Sequence, residues 1–143
     1  MEQTQMKTSG ILLMMSILSL ILSACGAAPN SAKTAIDLKT LPTNIDVKTV
    51  AVIKDLPEVV VLDVREPFEF AEGHIPGVKL IPVDEVSSRL NEIPKDKTVV
   101  VTCRSGNRSD QVTAYLQSRG YTRVHNMVGG ILAWQRAGFK VEK

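Results

Sequence analysis

Residues 98–109 read TVVVTCRSGNRS, a strand-like run that ends at a cysteine and passes into a loop. The first five residues are β-branched and mostly apolar, which is typical of a strand buried inside a sheet. Residues 111–119 then have the pattern of a helix, and Gly120 follows where that helix would end. A buried strand that leads through a short loop into a helix indicates a parallel sheet, so this stretch predicts an α/β fold.

The chain on either side of this stretch alternates strands and helices in the same way. Further strands are predicted at residues 59–64, 78–81 and 123–127, and helices at 47–53 (with Asp46 as N-cap), 67–72, 84–90 and 131–137. This alternation predicts a parallel sheet flanked by helices on both faces. Because the chain has only three Phe, two Tyr and one Trp, its core must consist mainly of Val, Ile and Leu.

Length and charge limit the possible functions. The chain has 143 residues, of which 44% are hydrophobic, and this length predicts one domain. Its 17 Lys and Arg residues nearly balance 15 Asp and Glu residues, which gives a formal net charge of +2. Such a balance, without a long basic run, argues against nucleic-acid binding. Two cysteines, Cys25 and Cys103, are too few for a disulfide framework.

The first 24 residues have the layout of a secretory signal peptide. Lys7 precedes an apolar run over residues 11–22, which is shorter than the ~20 residues of a membrane-spanning helix. The run ends in Leu22-Ser23-Ala24-Cys25, which resembles the lipobox of bacterial lipoproteins. This resemblance implies cleavage before Cys25 and lipidation of its sulfur. The alternative is an N-terminal membrane anchor that is never removed.

Residues 25–43 separate this leader from the rest of the chain. They are mostly small and polar and include two prolines, a composition typical of a linker. We therefore expect residues 25–43 to be a flexible tether and residues 44–143 to form the domain. A lipid on Cys25 would hold the protein outside the cytoplasm on a bacterial membrane, in the periplasm or on the outer cell surface.

The loop after residue 102 has the features of a cradle for an anionic sulfur atom. Cys103 follows its strand at the carboxyl end, which is the edge where parallel sheets bind ligands. Gly106 allows the loop to curl its N–H groups inward, and the next helix directs its positive end toward the same point. Arg104 and Arg108 add positive charge nearby, although the sequence leaves the directions of their side chains open, and the alternative is that both are solvated surface charges. We therefore expect the pKa of the Cys103 thiol to be lowered.

Three motifs resemble the signatures of the rhodanese family. CRSGNRS at 103–109 resembles the active-site loop of the family, and DVRE at 63–66, with Phe70 and GHIPG at 73–77, resembles its first signature. GY at 120–121 and VGGILAW at 128–134 resemble its C-terminal signature. The likeness covers roughly residues 47–141 in the expected order. It implies a single rhodanese domain with a five-stranded parallel sheet.

The resemblance also implies roles for individual residues. Cys103 would be the nucleophile that carries sulfur as a persulfide. From the residues themselves, we expect Asp63 and Arg65 to form a buried or semi-buried pair that positions the loop, with contact between Arg65 and the substrate as the alternative. His74 lies in a turn that the family uses structurally, with a general base as the alternative, and Trp134 is expected to pack in the core. The loop that binds the substrate would consist of Arg104, Ser105, Gly106, Asn107 and Arg108.

The implied reaction is sulfur transfer in two steps. Cys103 would take the outer sulfur of a small donor such as thiosulfate, and cyanide or a thiol would then accept that sulfur. No metal or organic cofactor is implied, since the sequence has no Cys/His cluster with metal-ligand spacing. We expect the protein to be a monomer.

Other functions use similar residues. A cysteine-dependent phosphatase or arsenate reductase has a Cys-x5-Arg loop, whereas only four residues separate Cys103 from Arg108, so this loop is tighter. A non-catalytic binding module, or a persulfide carrier for one dedicated partner, would share the same fold. A lone cysteine beside a valine-rich strand can also be just a small buried hydrophobic residue.

Overall fold

The computed structural model describes residues 36–143, which contain five strands and four helices. In chain order these elements are β1 (Asn44–Ile45), α1 (Val47–Ile53), β2 (Val59–Asp63), α2 (Pro67–Glu72), β3 (Lys79–Leu80), β4 (Thr98–Thr102), α3 (Asn107–Ser118), β5 (Val124–Met127) and α4 (Gly130–Arg136). The predicted signal peptide, Cys25 and residues 25–35 of the predicted tether lie outside the described residues. Along residues 36–143, no helix combines the length and apolar character needed to cross a membrane.

The strands form one sheet in the order β1-β5-β4-β2-β3, and every neighbouring pair is parallel. The predicted five-stranded parallel sheet is therefore confirmed. β4 is the central strand, paired with β2 on one side and with β5 on the other. The loop that follows β4 consequently lies in the middle of the carboxyl edge of the sheet.

Both faces of the sheet are covered by helices, as predicted. Alternate residues of β4 point to opposite faces, so Val99 and Val101 join a core that includes residues of α3, such as Leu116. Val100 joins a second core with residues of α1 and α4, among them the buried Trp134. A strand buried on both faces explains why β4 reads as an unbroken run of apolar and β-branched residues.

The helix predicted at residues 84–90 is not formed. This segment has two separate 3₁₀ turns instead, Val83–Glu85 and Leu90–Glu92. Between them the hydroxyl of Ser88 donates to the carbonyl of Glu85 at 2.9 Å. Serine side chains offer the backbone such local partners and so compete with a continuous helix.

Two further elements differ from the sequence-based expectation. α3 begins at Asn107, four residues before the predicted start at 111, because Gly106 has a φ of 105° and ends the loop as the N-cap. β1 was not predicted, since two residues leave no periodic pattern. Hydrogen bonds with β5 hold it in the sheet, for example from the Val128 N–H to the Ile45 carbonyl at 2.9 Å.

Residues 36–43, which sequence composition assigned to the tether, contact the domain. Ile36, Leu38 and Leu41 pack against the core on the side of α1 and α4. The carbonyl oxygen of Pro42 lies 2.8 Å from Nδ1 of His125. The packed part of the chain thus begins before the predicted boundary at residue 44.

Candidate active site

The thiol of Cys103 lies at the base of the short loop between β4 and α3. The residue is only 1% exposed. The N–H of Gly106 donates to Sγ at 3.1 Å, and the hydroxyl oxygen of Ser109 lies 3.4 Å from the same atom. The positive φ of Gly106 allows the loop to turn this N–H inward, toward the sulfur.

Two opposing effects set the acidity of this thiol. Burial disfavours the thiolate and by itself raises the pKa of Cys103. Hydrogen bonds from the Ser109 hydroxyl and from the N–H groups of Ser109, Gly106 and Ser105 favour the thiolate, and together they outweigh burial. The pKa of Cys103 is therefore below its ordinary value, which raises the thiolate fraction at neutral pH.

The two arginines of the loop lie in different environments. The carboxylate of Glu69 accepts hydrogen bonds from both terminal nitrogens of Arg108, at 2.7 and 2.8 Å. This pair lowers the pKa of Glu69 to about 2 and raises the pKa of Arg108, to which the charge of Cys103 contributes more weakly. Arg104 is exposed to solvent. The thiolate is thus stabilised mainly by hydrogen-bond donors rather than by the arginine charges.

Asp63 and Arg65 form a buried ion pair, with 2.7 Å between Oδ2 and Nη2. Arg65 also donates to the carbonyl oxygens of Glu69 and Gly73, both at 3.0 Å, and so fixes α2 and its C-terminal end. Because Glu69 in turn binds Arg108, the pair supports the Cys103 loop through α2.

The start of α4 holds the loop from the other direction. The N–H groups of Ile131 and Leu132 donate to the carbonyl oxygens of Cys103 and Arg104, at 2.8 and 3.2 Å. Gly130 has a φ of 55°, and a Cβ atom there would lie 2.3 Å from the Cys103 carbonyl oxygen. The close approach of the loop to α4 therefore requires glycine at this position.

Clefts open on both sides of the loop. One, of about 420 Å³, is lined by charged and apolar residues that include Arg65, Arg104, Phe68 and Leu132. Phe68 is 68% exposed, and the carboxylates of Glu69 and Glu72 also line the cleft, so a molecule that approaches the loop meets charges of both signs and an aromatic ring. The other cleft, of about 280 Å³, has a lining of mixed polarity that includes the exposed residues Ser105 and Asn107.

His74 has a structural environment. Its ring stacks on Phe70 with 3.7 Å between the ring centroids, and its Nδ1 lies 3.1 Å from the Phe70 carbonyl oxygen. Its backbone also pairs with that of Glu142. These contacts fix the turn after α2. Within residues 36–143, no three His, Cys, Asp or Glu side chains come together as a metal site.

Ser109, Glu69 and Asn126 belong to this site but were not predicted as site residues. Ser109 stands three residues after Gly106, so the first turn of α3 brings its hydroxyl back to the loop, and that spacing was a usable signal. Glu69 is 39 residues away from Arg108, and no pattern connects the two. Asn126 accepts a hydrogen bond from the Ser109 hydroxyl at 2.7 Å, a contact that only the folded sheet creates.

Comparison with known proteins places this fold and loop in one family. The family model for the rhodanese-like domain matches residues 46–137. A sulfurtransferase from Allochromatium vinosum is 46% identical over 89 residues, which cover 62% of this chain and 83% of that protein. Thiosulfate sulfurtransferase GlpE from Tolumonas auensis is 33% identical over 93 residues, which cover 65% of this chain and 88% of that protein.

A solved structure shows the same architecture. The crystal structure of a rhodanese-related protein from Thermoplasma volcanium matches with a TM-score of 0.64 at 31% identity, covering 71% of this chain and 98% of that chain. The family match spans more than half of the sequence and contains β2, the Cys103 loop and α4. This chain therefore belongs to the rhodanese-like family.

Proposed function

We propose that this protein is a sulfurtransferase that moves sulfane sulfur from a donor such as thiosulfate to cyanide or a thiol, through a persulfide on Cys103. The observation that supports this most is the set of donors around the buried thiol, with the Gly106 N–H at 3.1 Å and the Ser109 hydroxyl at 3.4 Å. Hydrogen-bond donors at these positions favour an anionic Cys103 sulfur, which is the form that attacks the sulfur donor. The relatives named as sulfurtransferases support the same class of reaction.

In the first step, the Cys103 thiolate attacks the outer sulfur of the donor. An S–S bond forms at Cys103 while the S–S bond of thiosulfate breaks, and the electron pair of the broken bond leaves with sulfite. The hydrogen bonds to Sγ lower the pKa of the Cys103 thiol and so favour the thiolate that makes the attack. Arg104, which is exposed in the cleft beside the loop, supplies a positive charge for the anionic donor, and the exposed Glu72 of the same cleft partly offsets it.

In the second step, cyanide or a thiolate attacks the outer sulfur of the persulfide. The S–S bond to Cys103 breaks and its electron pair returns to Cys103, which becomes a thiolate again. The product leaves as thiocyanate or as the persulfide of the acceptor. Because sulfite leaves before the acceptor reacts, the kinetics should be ping-pong.

The test of this proposal replaces Cys103 by serine and measures thiocyanate formation from thiosulfate and cyanide. We expect Cys103→Ser to lower activity by about 1000-fold or more, because a serine hydroxyl is not ionised at neutral pH. The matched control is Cys25→Ser, which makes the same exchange at the other cysteine and should leave the activity of the purified protein intact. A folded Cys103→Ser protein with substantial activity would refute the proposal.

A cysteine-dependent phosphatase or arsenate reductase is the rival enzyme class. Glu69 takes one N–H from each terminal nitrogen of Arg108 and balances its charge, so this arginine attracts a tetrahedral oxyanion less strongly than an unpaired one would. We therefore expect little hydrolysis of an aryl phosphate. Hydrolysis faster than sulfur transfer by the same preparation would favour the phosphatase.

A persulfide carrier for a dedicated protein partner is the second candidate. It is favoured by the deep burial of Cys103 and by the exposed ring of Phe68 in the adjoining cleft. Such a carrier would form the Cys103 persulfide but pass its sulfur slowly to cyanide and small thiols. Fast turnover with a small acceptor would exclude it.

We also propose that residues 1–24 are removed and that Cys25 is lipidated, so that the domain is held at a bacterial membrane outside the cytoplasm. The sequence Leu22-Ser23-Ala24-Cys25 directly after an apolar run supports this. Cys103 would then be the only free thiol of the mature chain, and its sulfur would have to leave to an external acceptor. Partition of the native protein into a detergent phase, lost in Cys25→Ala, tests this proposal.

A further inference from the structure

A line of polar side chains leads from the Cys103 sulfur to the edge of the sheet. The Ser109 hydroxyl oxygen lies 3.4 Å from Sγ, 2.7 Å from Oδ1 of Asn126 and 3.0 Å from the carbonyl oxygen of Gly106. Asn126 continues the line by donating from Nδ2 to Oδ1 of Asn44 at 2.9 Å. Ser109 and Asn126 are buried, at 0% and 5% exposure, so bulk water does not replace these contacts.

The Ser109 hydroxyl has one proton for three possible acceptors. The Gly106 carbonyl already receives the N–H of Asp110 at 3.0 Å. A carbonyl oxygen has two lone pairs, so Gly106 can still accept, but the Asn126 oxygen at 2.7 Å and a negatively charged Cys103 sulfur are the stronger acceptors. When Asn126 presents its oxygen, the hydroxyl donates to Asn126 and turns a lone pair toward Sγ, which suits a neutral S–H.

The opposite arrangement suits a thiolate. The oxygen and nitrogen of a side-chain amide have nearly the same shape, so Asn126 can present Nδ2 to Ser109 after a half-turn. Asn126 then donates to the hydroxyl oxygen, and the hydroxyl donates its proton to Sγ. Asn44 must turn with it, and this residue is exposed and lines the cleft of about 280 Å³ beside the loop.

We propose that Asn126 is a positioning residue that controls the direction of the Ser109 hydroxyl according to the charge on the Cys103 sulfur. The two arrangements give the thiol an acceptor and the thiolate a donor, and Asn44 completes either one. The Ser109 hydroxyl stabilises the thiolate more than it stabilises the neutral thiol, since a hydrogen bond to a charged atom is stronger than one to a neutral atom. This inference builds on the proposed role of Cys103, but it concerns ionisation of the thiol and requires no particular sulfur donor.

If Asn126 had a purely structural role, its substitution would affect the stability of the fold rather than the ionisation of Cys103. Asn44 and Asn126 are direct partners in the pairing of β1 with β5, so their amide contact also joins these two strands. Loss of that contact alone would lower stability without any dependence on Ser109. The discriminating measurement is therefore the ionisation of Cys103 in the presence and absence of the Ser109 hydroxyl.

The experiment measures the rate of Cys103 alkylation by iodoacetamide against pH in a double-mutant cycle, in chains carrying Cys25→Ser so that only one thiol reacts. Asn126→Leu should raise the midpoint of the alkylation curve by about half a pH unit when Ser109 is present, because the Ser109 hydroxyl loses the amide that directs it toward the thiolate. This shift corresponds to an about threefold fall in the ionisation constant of the thiol. In the Ser109→Ala background, Asn126→Leu should leave the midpoint unchanged. Thr113→Val is the matched control, since it removes another buried hydroxyl of α3 that bonds no other described residue, and it should leave the midpoint unchanged.

An unchanged midpoint in Asn126→Leu, or an equal shift with and without Ser109, would overturn the proposal. If Asn126→Leu does not fold, Asn126→Asp provides the same test with an isosteric side chain. Its carboxylate can only accept, so it holds the hydroxyl away from the sulfur, and the upward shift should shrink when Ser109 is alanine. A shift that does not shrink would also overturn the proposal. Alkylation needs neither thiosulfate nor cyanide, so this result is independent of whether the protein transfers sulfur.

Discussion

At the scale of single residues, the acidity of Cys103 depends on donors in direct contact with its sulfur. The Gly106 N–H and the Ser109 hydroxyl lie within hydrogen-bonding distance of Sγ, whereas Arg108 donates to the carboxylate of Glu69. A charge that is already paired stabilises a neighbouring anion less than a hydrogen bond aimed at that anion. The composition of the loop alone therefore suggests a larger contribution of its arginines to the acidity of Cys103 than the structure supports.

This difference leads to a ranking of two substitutions. Ser109→Ala should raise the pKa of Cys103 by about one unit, and Arg108→Ala should raise it by less, since Arg108 acts only through partly compensated charge. The pH dependence of the alkylation rate measures both shifts. A larger shift in Arg108→Ala than in Ser109→Ala would mean that charge, not hydrogen bonding, controls the thiol.

The position of Cys103 and its loop at the carboxyl end of β4 was predictable from the sequence, because the residue directly after a buried strand must lie at the edge of the sheet. Ser109 is the last residue of the CRSGNRS motif, and a helix that begins at residue 107 returns its side chain to the loop, so its part in the site was predictable from the sequence. The partners Glu69 and Asn126 depend on which strands become neighbours. Such long-range pairing leaves no local pattern in a single sequence.

At the scale of elements, the loop is held between α4 and α2. Its carbonyl oxygens accept hydrogen bonds from N–H groups in the first turn of α4. The loop backbone lies so close to Gly130 that no side chain fits at this position. Gly130→Ala should therefore lower the free energy of unfolding by about 3 kcal/mol and reduce sulfur transfer.

Gly138→Ala provides the matched control for this substitution. Gly138 also has a positive φ, of 77°, but a Cβ atom there would meet nothing within 4 Å. The backbone conformation alone should lower stability by only about 1 kcal/mol, with activity retained. Chemical denaturation measures both changes. Equal effects of the two substitutions would show that the contact with the loop is unimportant.

The pair between Glu69 of α2 and Arg108 of α3 makes stability depend on pH in the acid range. The hydrogen bond from Arg108 lowers the pKa of Glu69 from 4.5 to about 2. A lowered pKa means that the contribution to stability is present above the ordinary value and is lost as the pH falls from 4.5 toward about 2. Urea unfolding of the wild type should show this loss, and Glu69→Gln should show a smaller slope in the same window. Parallel curves for the two proteins would contradict this role of the pair.

The regular elements of the sheet were predictable, whereas the irregular ones were not. β2 and β4 are unbroken β-branched runs, so their burial could be read directly from the sequence. The two 3₁₀ turns after β3 carry an apolar pattern close to that of a helix, and serine side chains there favour separate turns. The onset of α3 depends on the φ of Gly106, which a sequence leaves open.

At the scale of the whole molecule, the domain includes residues that looked like tether. Ile36, Leu38 and Leu41 pack against the core, so a protein that begins at residue 44 should be less stable than one that begins at residue 36. We expect a difference of about 2–4 kcal/mol in unfolding free energy, since three partly buried aliphatic side chains are lost. Both proteins should transfer sulfur while folded, because the hydrogen bonds to Sγ of Cys103 come from Gly106 and Ser109 and not from residues 36–43. Equal stability would show that residues 36–43 contribute nothing to the fold.

The central claim is that Cys103 carries sulfur covalently, and the mass of the protein after exposure to thiosulfate tests this most directly. Intact-mass and peptide spectra should show the addition of one sulfur atom, located on Cys103 and removed by cyanide as thiocyanate forms. Cys103→Ser should show no addition, and Cys25→Ser should behave as the wild type. Turnover of thiosulfate without sulfur on Cys103, or sulfur on another residue, would contradict this account.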